Sequence, residues 1–185
     1  MANYCENHLT ITGRREDLEA FRDAAAEIDK HGESDKPIPL SFHKLVPIPD
    51  HIKALSDEYD VIALWMTTNW GCRGGALDVE HCFFCDNESG GQLVYEFLTK
   101  WTAPSMFVEA VSAKYPRLIF TLIVFQPDAE FAGLYIARRG RLAVNINTSY
   151  DVNAMDEYSG GDGCKWRILP YQERYPKEFN LRIGL

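Results

Sequence analysis

The sequence predicts an α+β fold, in which helices cover one face of a mostly antiparallel sheet. Three observations predict it. Segments with the composition of strands follow one another from residue 76 to residue 148, and turn residues separate several of them. A strand-like segment opens the chain, and segments with the apolar spacing of helices lie between it and the later strands. Runs of adjacent strands with inserted helices are typical of α+β proteins.

The first predicted elements are a strand at residues 7–13 and a helix at residues 16–30. Apolar and polar residues alternate in the strand, as they do when one face is buried. Glu16 and Asp17 suit the positive end of the helix dipole, and Gly32 suits its stop. Apolar residues of the helix recur at spacings of three and four and form one stripe: Leu18, Phe21, Ala25 and Ile28.

The next predicted elements are short. Residues 40–46 have the composition of a short strand, and Asp50 is a suitable N-cap for a helix at residues 51–56. Residues 61–70 are apolar and predict a helix that ends in a glycine-rich loop at residues 70–75. Helices and connections therefore separate the opening strand from the later ones.

From residue 76 onward the pattern predicts strands, with one helix inserted at residues 104–114. We expect residues 1–149 to form one domain and residues 150–185 to form a C-terminal extension packed on it, with a closing strand near residues 179–183. The predicted strands of the domain are residues 76–85, 92–101, 117–126, 130–138 and 141–148.

Composition limits the class of protein. The 185 residues are 46% apolar, which is enough to bury a core and excludes general disorder. No apolar run approaches the ~20 residues of a membrane helix, and we expect no signal peptide. The five cysteines then indicate free thiols in a reducing cytoplasm. The formal charge of −8 argues against a protein-wide attraction to nucleic acid and favours a basic partner surface.

Several segments resemble one known family, in order along the chain: residues 3–13 (NYCENHLTITG), 41–49 (SFHKLVPIP), 69–71 (NWG), 97–104 (FLTKWTAP) and 115–142. Together they resemble the YubB-type ferredoxin-like domain family of plasmid and phage proteins. The resemblance implies a ferredoxin-like α+β sandwich without an iron–sulfur cluster, and an origin on a mobile genetic element. It implies no activity. Family members tend to carry a further Lys-Trp after the Trp-Gly pair, where this chain has Cys-Arg-Gly-Gly.

A metal or redox site is weighed first among the candidate sites. Cys82 and Cys85 form a C-x-x-C beside His81, with Cys72 nearby. Zinc requires four converging ligands, but this segment predicts a strand, in which residues three apart point to opposite faces. A redox C-x-x-C also needs a helix N-terminus to lower the thiol pKa. We therefore expect buried thiols, no metal and no cofactor.

A nucleophilic enzyme would have to use Cys72, which the glycine-bordered loop could expose. Spacing selects no base for it, because catalytic partners meet in space rather than in sequence. The glycine-rich loops at residues 71–75 and 159–163 match neither a P-loop nor a dinucleotide fingerprint. We therefore expect no catalytic residues and no enzymatic activity. The conceivable bases for Cys72 are His8, His43, His51 and His81.

A docking surface is the preferred alternative, and its candidate residues are Asp57, Glu58, Asp60, Trp70 and Arg73. The three carboxylates could occupy positive grooves that otherwise receive phosphates; a solvated surface is the other interpretation. Tryptophan often anchors interfaces, and we expect Trp70, in a loop bordered by glycines, to be partly exposed.

Nucleic-acid or nucleotide binding is the main alternative function. Arg138, Arg139 and Arg141 form a basic hairpin tip around Gly140, and sheets of this kind can stack bases on exposed aromatic residues. The chain lacks the aromatic signature of an RNA-recognition module, and its acidic balance opposes phosphate binding.

The sequence therefore predicts a non-enzymatic acidic binding protein of a phage or plasmid, acting in the cytoplasm of the bacterial host. We expect it to dock on a host protein and to have no membrane partner. A nucleic-acid-binding defence complex such as a CRISPR effector is the kind of partner that the resemblance and the negative charge favour. An enzyme that uses Cys72 and a structural domain whose acidity serves solubility are the remaining interpretations.

Overall fold

The structure is a computed structural model, which describes residues 3–28, 37–55, 59–87, 90–126, 129 and 131–149. Its elements in chain order are β1 (Tyr4–Gly13), α1 (Arg15–Ala25), β2 (Glu27–Ile28), β3 (Pro37–Ile38), α2 (Phe42–Leu45), α3 (Asp50–Lys53), α4 (Tyr59–Trp70), β4 (Leu77–Asn87), β5 (Gly90–Lys100), α5 (Ser105–Lys114), β6 (Ile119–Gln126), β7 (Phe131–Arg138) and β8 (Arg141–Ser149).

The long strands of the described residues form one antiparallel sheet, in the order β4-β5-β1-β6-β7-β8. β2 and β3 form a separate two-stranded pair. β1 lies between β5 and β6, with Leu9 opposite both Tyr95 and Leu122. Alternation along β1 buries Leu9 and Ile11 on one face, as the sequence predicts.

The described helices pack on one face of this sheet. Side chains from each of α1 to α5 join one hydrophobic cluster with side chains of β1, β5, β6 and β7. Phe42 of α2 stacks on Phe107 of α5 with ring centroids 3.7 Å apart. Phe21 of α1 meets Phe120 of β6 edge to face at 5.5 Å. The predicted α+β fold, an antiparallel sheet with helices packed on one face, is confirmed.

A second, smaller hydrophobic cluster lies on the opposite face of the sheet. Alternation along β6 shows the division, because Leu122 and Val124 join the first cluster while Ile123 and Phe125 join the second. The second cluster lies at the β6-β7-β8 end of the sheet. Its buried members are Ile123, Phe125, Ala132 and Leu134, and the partly buried side chains against it are Ile136, Val144 and Ile146.

The first helix is shorter than predicted. α1 ends at Ala25, and Ile28, predicted to lie on its apolar stripe, is 57% exposed. The chain turns extended at Ala26 (φ −73°, ψ 139°). Later residues take the carbonyls at this end: Ser41 N–H donates to Ala25 O at 2.9 Å and Lys44 Nζ to Ala26 O at 2.5 Å. These tertiary bonds replace the capping that a glycine was expected to provide.

The predicted strand at residues 40–46 is wrong, since this segment contains the one-turn helix α2. Ser41 caps it, accepting a hydrogen bond from Lys44 N–H at 3.2 Å. Phe42 and Leu45 are both buried in the first cluster. Residues three apart share a helix face but point to opposite faces of a strand, so only the helix buries both.

The helix predicted at residues 51–56 begins at Asp50 and ends at Lys53. Asp50 is not its N-cap, because the chain already turns at Pro49, whose carbonyl accepts from the N–H groups of Ile52 and Lys53 at 2.9 and 3.0 Å. The other predicted helices and strands up to residue 149 are confirmed with small shifts of their ends. The predicted extension at residues 150–185 and its closing strand lie outside the described residues.

Membrane insertion through a helix finds no support in the part of the chain that the structure describes, since no helix there has the length and apolar character to cross a bilayer.

Candidate functional site

Trp70, predicted to be partly exposed, is fully buried. Its indole Nε1–H donates to Val46 O at 3.0 Å, and its ring packs edge to face on Phe42 at 5.7 Å and Trp65 at 5.6 Å. The prediction is wrong because Trp70 is the last residue of α4, and the helix directs its side chain toward the core. Trp70 therefore belongs to the core and not to a docking surface.

The glycine after Trp70 is the point at which two segments meet. Gly71 has a φ of 85°, and a Cβ atom on it would lie 2.7 Å from Ala103 O. Only glycine tolerates both this conformation and this approach. Thr102 Oγ1 donates to Gly71 O at 2.5 Å. The end of α4 is thus joined to the loop that connects β5 to α5.

A relay of polar groups ties this loop to the sheet. Asn7 Nδ2 donates to Thr99 Oγ1 at 3.0 Å, and Thr99 Oγ1 donates to Thr102 O at 2.9 Å. Asn7 and Thr99 are both buried. Trp101 N–H also donates to Asn3 O at 2.8 Å. The bond between the buried Asn7 and Thr99 fixes the turn most firmly, because breaking it would leave a polar group without a partner in a low-dielectric interior.

The fixed turn presents an exposed tryptophan. Trp101 has a φ of 71°, which is rare for a side chain of this size, and is 44% exposed. Two further residues near this turn have exposed apolar side chains, Tyr4 and Met106. Tyr4 pairs across the sheet with Lys100, the residue before Trp101. The backbone nitrogen of Met106 would lie 3.3 Å from a Cβ atom added to Gly71. We call Tyr4, Gly71, Trp101 and Met106 the Trp101 corner.

The sequence does not single out Trp101. Its exposure follows from the left-handed backbone at the end of β5, and a tryptophan followed by Thr-Ala-Pro carries no local signal for that conformation. The only hint is its place between a strand and a proline that opens a helix.

Of the four remaining predicted docking residues, the structure describes two, Asp60 and Arg73. Asp60 and Arg73 lie together, with Oδ1 and Nη2 3.6 Å apart, and the Asp60 side chain is 97% exposed. The loop after α4 therefore folds back toward the start of that helix. An exposed pair of this kind contributes little to stability. Asp57 and Glu58 lie outside the described residues.

The candidate nucleophile is not exposed. Cys72 is fully buried, and its Sγ donates to Gly74 O at 3.2 Å. Burial, with a smaller contribution from the Cys5 thiol, raises the pKa of the Cys72 thiol to about 12. The expectation that the loop could expose Cys72 is wrong, because the loop turns the side chain into the first cluster. At neutral pH the group is a protonated thiol, which is a poor nucleophile.

Two of the conceivable bases for Cys72, His43 and His8, make contacts with other residues. His43 packs edge to face on Trp70 at 4.7 Å, and burial lowers its pKa, with Lys53 lowering it further and Glu27 opposing. His8 Nδ1 lies 3.1 Å from Glu96 Oε1. His8 alternates with Leu9 along β1 and so lies on the sheet face opposite the first cluster. The sheet therefore separates His8 from Cys72.

The C-x-x-C segment lies on β4, where the backbone of Cys82 pairs with Tyr95 and that of Cys85 with Gln92. The predicted strand is confirmed, whereas the side chains of both cysteines lie outside the described part. Among the side chains that are described, no three of His, Cys, Asp and Glu group as a metal site requires.

The arginine hairpin is fixed on α5. Its tip, Arg139 and Gly140, has positive φ at both residues (53° and 74°), as a two-residue hairpin turn of the primed type requires. Gly140 N–H donates to Ser112 Oγ at 2.9 Å. Arg138 is half-buried, while Arg139 and Arg141 are exposed. The hairpin thus offers two exposed guanidinium groups on a rigid support.

Comparison with known proteins yields a likeness of fold. No model of a known protein family matches the chain, and no curated protein does. The crystal structure of a protein api92 from Yersinia pseudotuberculosis, of the family DUF1281, is similar, with a TM-score of 0.60 and 8% sequence identity. The match covers 82% of this chain and 99% of that one. At so low an identity the likeness shows the fold alone.

Proposed function

We propose that this protein is a non-enzymatic, acidic binding protein that docks on a basic protein partner through the Trp101 corner. The observation that carries the proposal is the exposed Trp101 side chain on a turn held by hydrogen bonds from Asn3 and from the buried Asn7 and Thr99. Interfaces concentrate their binding energy in a few aromatic anchors. An anchor already held in place costs little conformational entropy when it binds.

The strained backbone of Trp101 also supports this function. A non-glycine residue in the left-handed region costs about 1–3 kcal/mol and is retained where the surroundings hold it, often at binding sites. The relay from Asn7 through Thr99 and Thr102 to Gly71 is such a surrounding. If the indole had only to be buried, an ordinary backbone conformation would serve better. The conformation instead leaves it available to a partner.

Charge indicates the class of partner. The net charge of −8 favours encounter with a positive surface, and Asp60 offers an exposed carboxylate. Proteins that bind nucleic acid carry such surfaces. A host nucleic-acid-binding defence complex, such as a CRISPR effector, fits this chemistry and the mobile-element origin that the resemblance implies. The site of action in this proposal is the bacterial cytoplasm.

We also assign the sheet to the ferredoxin-like plan with an added hairpin. What supports the assignment is that β1, α1, β4, β5, α5 and β6 follow the order βαββαβ along the chain. Their strands lie in the sheet as β4-β5-β1-β6, and β7 and β8 extend it beyond β6. This plan and the resemblance support membership of the YubB-type family.

The alternative function, nucleic-acid binding, is favoured by the exposed Arg139 and Arg141 at the hairpin tip. The sheet face opposite the described helices is less suitable, because Glu6 and Glu96 lie on it and would repel phosphates. Labelled single strands, titrated at low and moderate salt, test this alternative directly. Salt-sensitive binding that Arg139→Ala weakens would favour it over protein docking.

The docking function is tested with Trp101→Ala. The wild-type protein, immobilised and exposed to a bacterial lysate, is expected to retain a stoichiometric basic protein, which is then purified for titration. Loss of a central aromatic anchor costs about 2 kcal/mol or more, so the affinity should fall about 30-fold. Isothermal titration calorimetry measures this change.

The matched control is Ile28→Ala, since Ile28 is an exposed apolar residue on β2 and outside the Trp101 corner. It should leave the affinity unchanged, and thermal unfolding should show both variants folded. Recovery of no stoichiometric partner, or equal affinity of the Trp101→Ala variant and the wild type, would contradict the proposal.

A further inference from the structure

The sheet has two edge strands in the part of the chain that the structure describes, β4 and β8. An edge strand presents a row of backbone N–H and C=O groups that have no partner strand, so another strand can pair with it. Natural proteins interrupt such edges with charged residues, prolines and bulges, which oppose unwanted pairing. The two edges differ in these features, and the difference indicates which of them is open to pairing.

The edge at β4 is interrupted. Asp78 has a φ of 47°, and the register with β5 shifts between Leu77 and His81. The sequence of this strand also contains Glu80 and Asp86. A break in register and repeated negative charge both hinder the pairing of a further strand. β4 is therefore unsuitable as an interface between strands.

The edge at β8 is regular and neutral. Its pairing with β7 shifts register near the hairpin tip, between Ile136 and Ala137, and continues without a shift from Val144 to Ser149. Residues 142–149 (LAVNINTS) contain no charged residue and no proline, although 25% of the chain is charged. The features that interrupt β4 are absent from this stretch. β8 therefore retains the properties that let an edge strand pair with another strand.

The two faces of β8 differ in polarity. Asn145 and Asn147 are exposed on one face, while Val144 and Ile146 are partly buried on the other. Asn147 Nδ2 donates to Asn145 Oδ1 at 3.0 Å, and the Tyr135 hydroxyl donates to Asn147 Oδ1 at 2.5 Å. These bonds hold the two amides in one row along the exposed face. Within the described residues, Asn145 Nδ2 makes no hydrogen bond, so it can donate to a neighbouring strand.

This pattern is complementary to itself. When two β8 strands pair antiparallel about a twofold axis at Asn145, each Asn145 lies opposite its own counterpart, and Val144 of one copy lies opposite Ile146 of the other. Amides then meet amides on one face and apolar side chains meet on the other, which are favourable cross-strand pairs. Two chains of net charge −8 repel each other, and a neutral strand is where they can meet at the lowest electrostatic cost.

We propose that this protein forms a homodimer through its β8 strands, which pair antiparallel and join the two sheets into one. A basic partner is a less suitable occupant of this edge, because residues 142–149 offer it no carboxylate. The Trp101 corner contains no residue of β8, so the dimer is independent of the docking function. Each dimer presents the corner twice, and a partner with two matching surfaces is then bound with greater avidity than by one chain.

The test replaces the residue at the twofold axis in the full chain. Asn145→Glu places two carboxylates opposite each other across the interface, whereas Asn145→Gln, the matched control, keeps an uncharged amide. Sedimentation velocity at micromolar concentrations measures the mass of the particle. The wild type and the Gln variant should sediment as dimers, with twice the 21.1 kDa of one chain. The Glu variant should have a dimer dissociation constant raised about 30-fold or more. Circular dichroism should show both variants folded, since the position is exposed.

Hydrogen exchange of the unmodified protein gives a second measurement. The amides of β8 that do not bond to β7 should be protected in the dimer and should lose this protection on dilution. A monomeric wild type, or a dimer that Asn145→Glu leaves unchanged, would overturn the proposal. Protection of these amides that does not depend on concentration would also overturn it, because the edge would then be covered by the chain itself.

Discussion

Two buried thiols show how position governs the chemistry of a residue in this protein. Cys5 Sγ donates to Gln126 Oε1 at 3.4 Å, and Cys72 Sγ donates to Gly74 O at 3.2 Å. Burial raises the pKa of each thiol from 9.0 to about 12. A raised pKa means that the proton stays bound at a pH where a free thiol has lost it. Both cysteines are therefore inert apolar residues at neutral pH.

Alkylation of Cys72 should reflect this raised pKa. The labelling rate of the native protein by iodoacetamide should lie far below that of N-acetylcysteine at pH 7 to 9, and should rise only as the pH approaches 12, because only the thiolate reacts. Peptide mapping by mass spectrometry measures the rate at Cys72. Protein unfolded in guanidinium is the control and should react as the free thiol does. Native labelling as fast as that of N-acetylcysteine would show an exposed, activated group instead.

At the scale of elements, packing partners set both the identity and the exposure of each segment. α2 forms because Phe42 and Leu45 are buried on the same side, although the local composition suits a strand. α4 is apolar around most of its surface and still leaves Leu64 68% exposed, because its buried side faces α3 and α5. β6 is apolar on both faces of the sheet, because its alternate side chains join the first and the second hydrophobic cluster.

Two leucine substitutions compare these environments. Leu134→Ala should lower the free energy of unfolding by about 2–5 kcal/mol, since it removes a side chain from the fully buried second cluster. Leu64→Ala, the matched control on the exposed side of α4, should change it by less than about 0.5 kcal/mol. Urea denaturation followed by circular dichroism measures both. Equal and small losses would mean that the second cluster is open to solvent.

For the molecule as a whole, charge and shape act at different stages of the proposed docking. The net charge of −8 acts at long range and speeds the approach to a basic partner. The Trp101 corner acts at contact and slows dissociation, as an anchor does. The two contributions can be separated because salt screens only the first.

Surface plasmon resonance with the purified partner makes the separation. Raising the ionic strength from 0.01 to 0.15 M shortens the screening length from ~30 to ~8 Å, so the association rate should fall about tenfold or more. The dissociation rate should change little. Trp101→Ala should have the reverse effect, a faster dissociation with the same salt dependence. An association rate that does not respond to salt would contradict a role for the negative charge.

Local pattern predicted most strands and the helices α4 and α5, since alternation and helical spacing depend on neighbouring residues alone. Local pattern gave wrong predictions where residues distant in sequence determine the local structure. The end of α1 depends on hydrogen bonds from Ser41 and Lys44 to its last carbonyls. For the site, the sequence supplied the glycine-rich loop and named Asp60 and Arg73 as docking residues, whereas only the structure shows that the two form an ion pair. The sequence chose Trp70 over Trp101 as the exposed anchor, because flanking glycines do not report the direction of a side chain.

The sequence by itself determined the α+β class, the acidic surface charge and the order of most elements, because these depend on composition and on spacing within one segment. Only the tertiary structure decided which tryptophan is core and which is exposed, that Cys72 is buried, and that the sheet is apolar on both faces at one end. Burial is a property of residues brought together from distant parts of the chain. Asn7, Thr99 and Gly71 jointly hold the turn of Trp101, and no local pattern connects them.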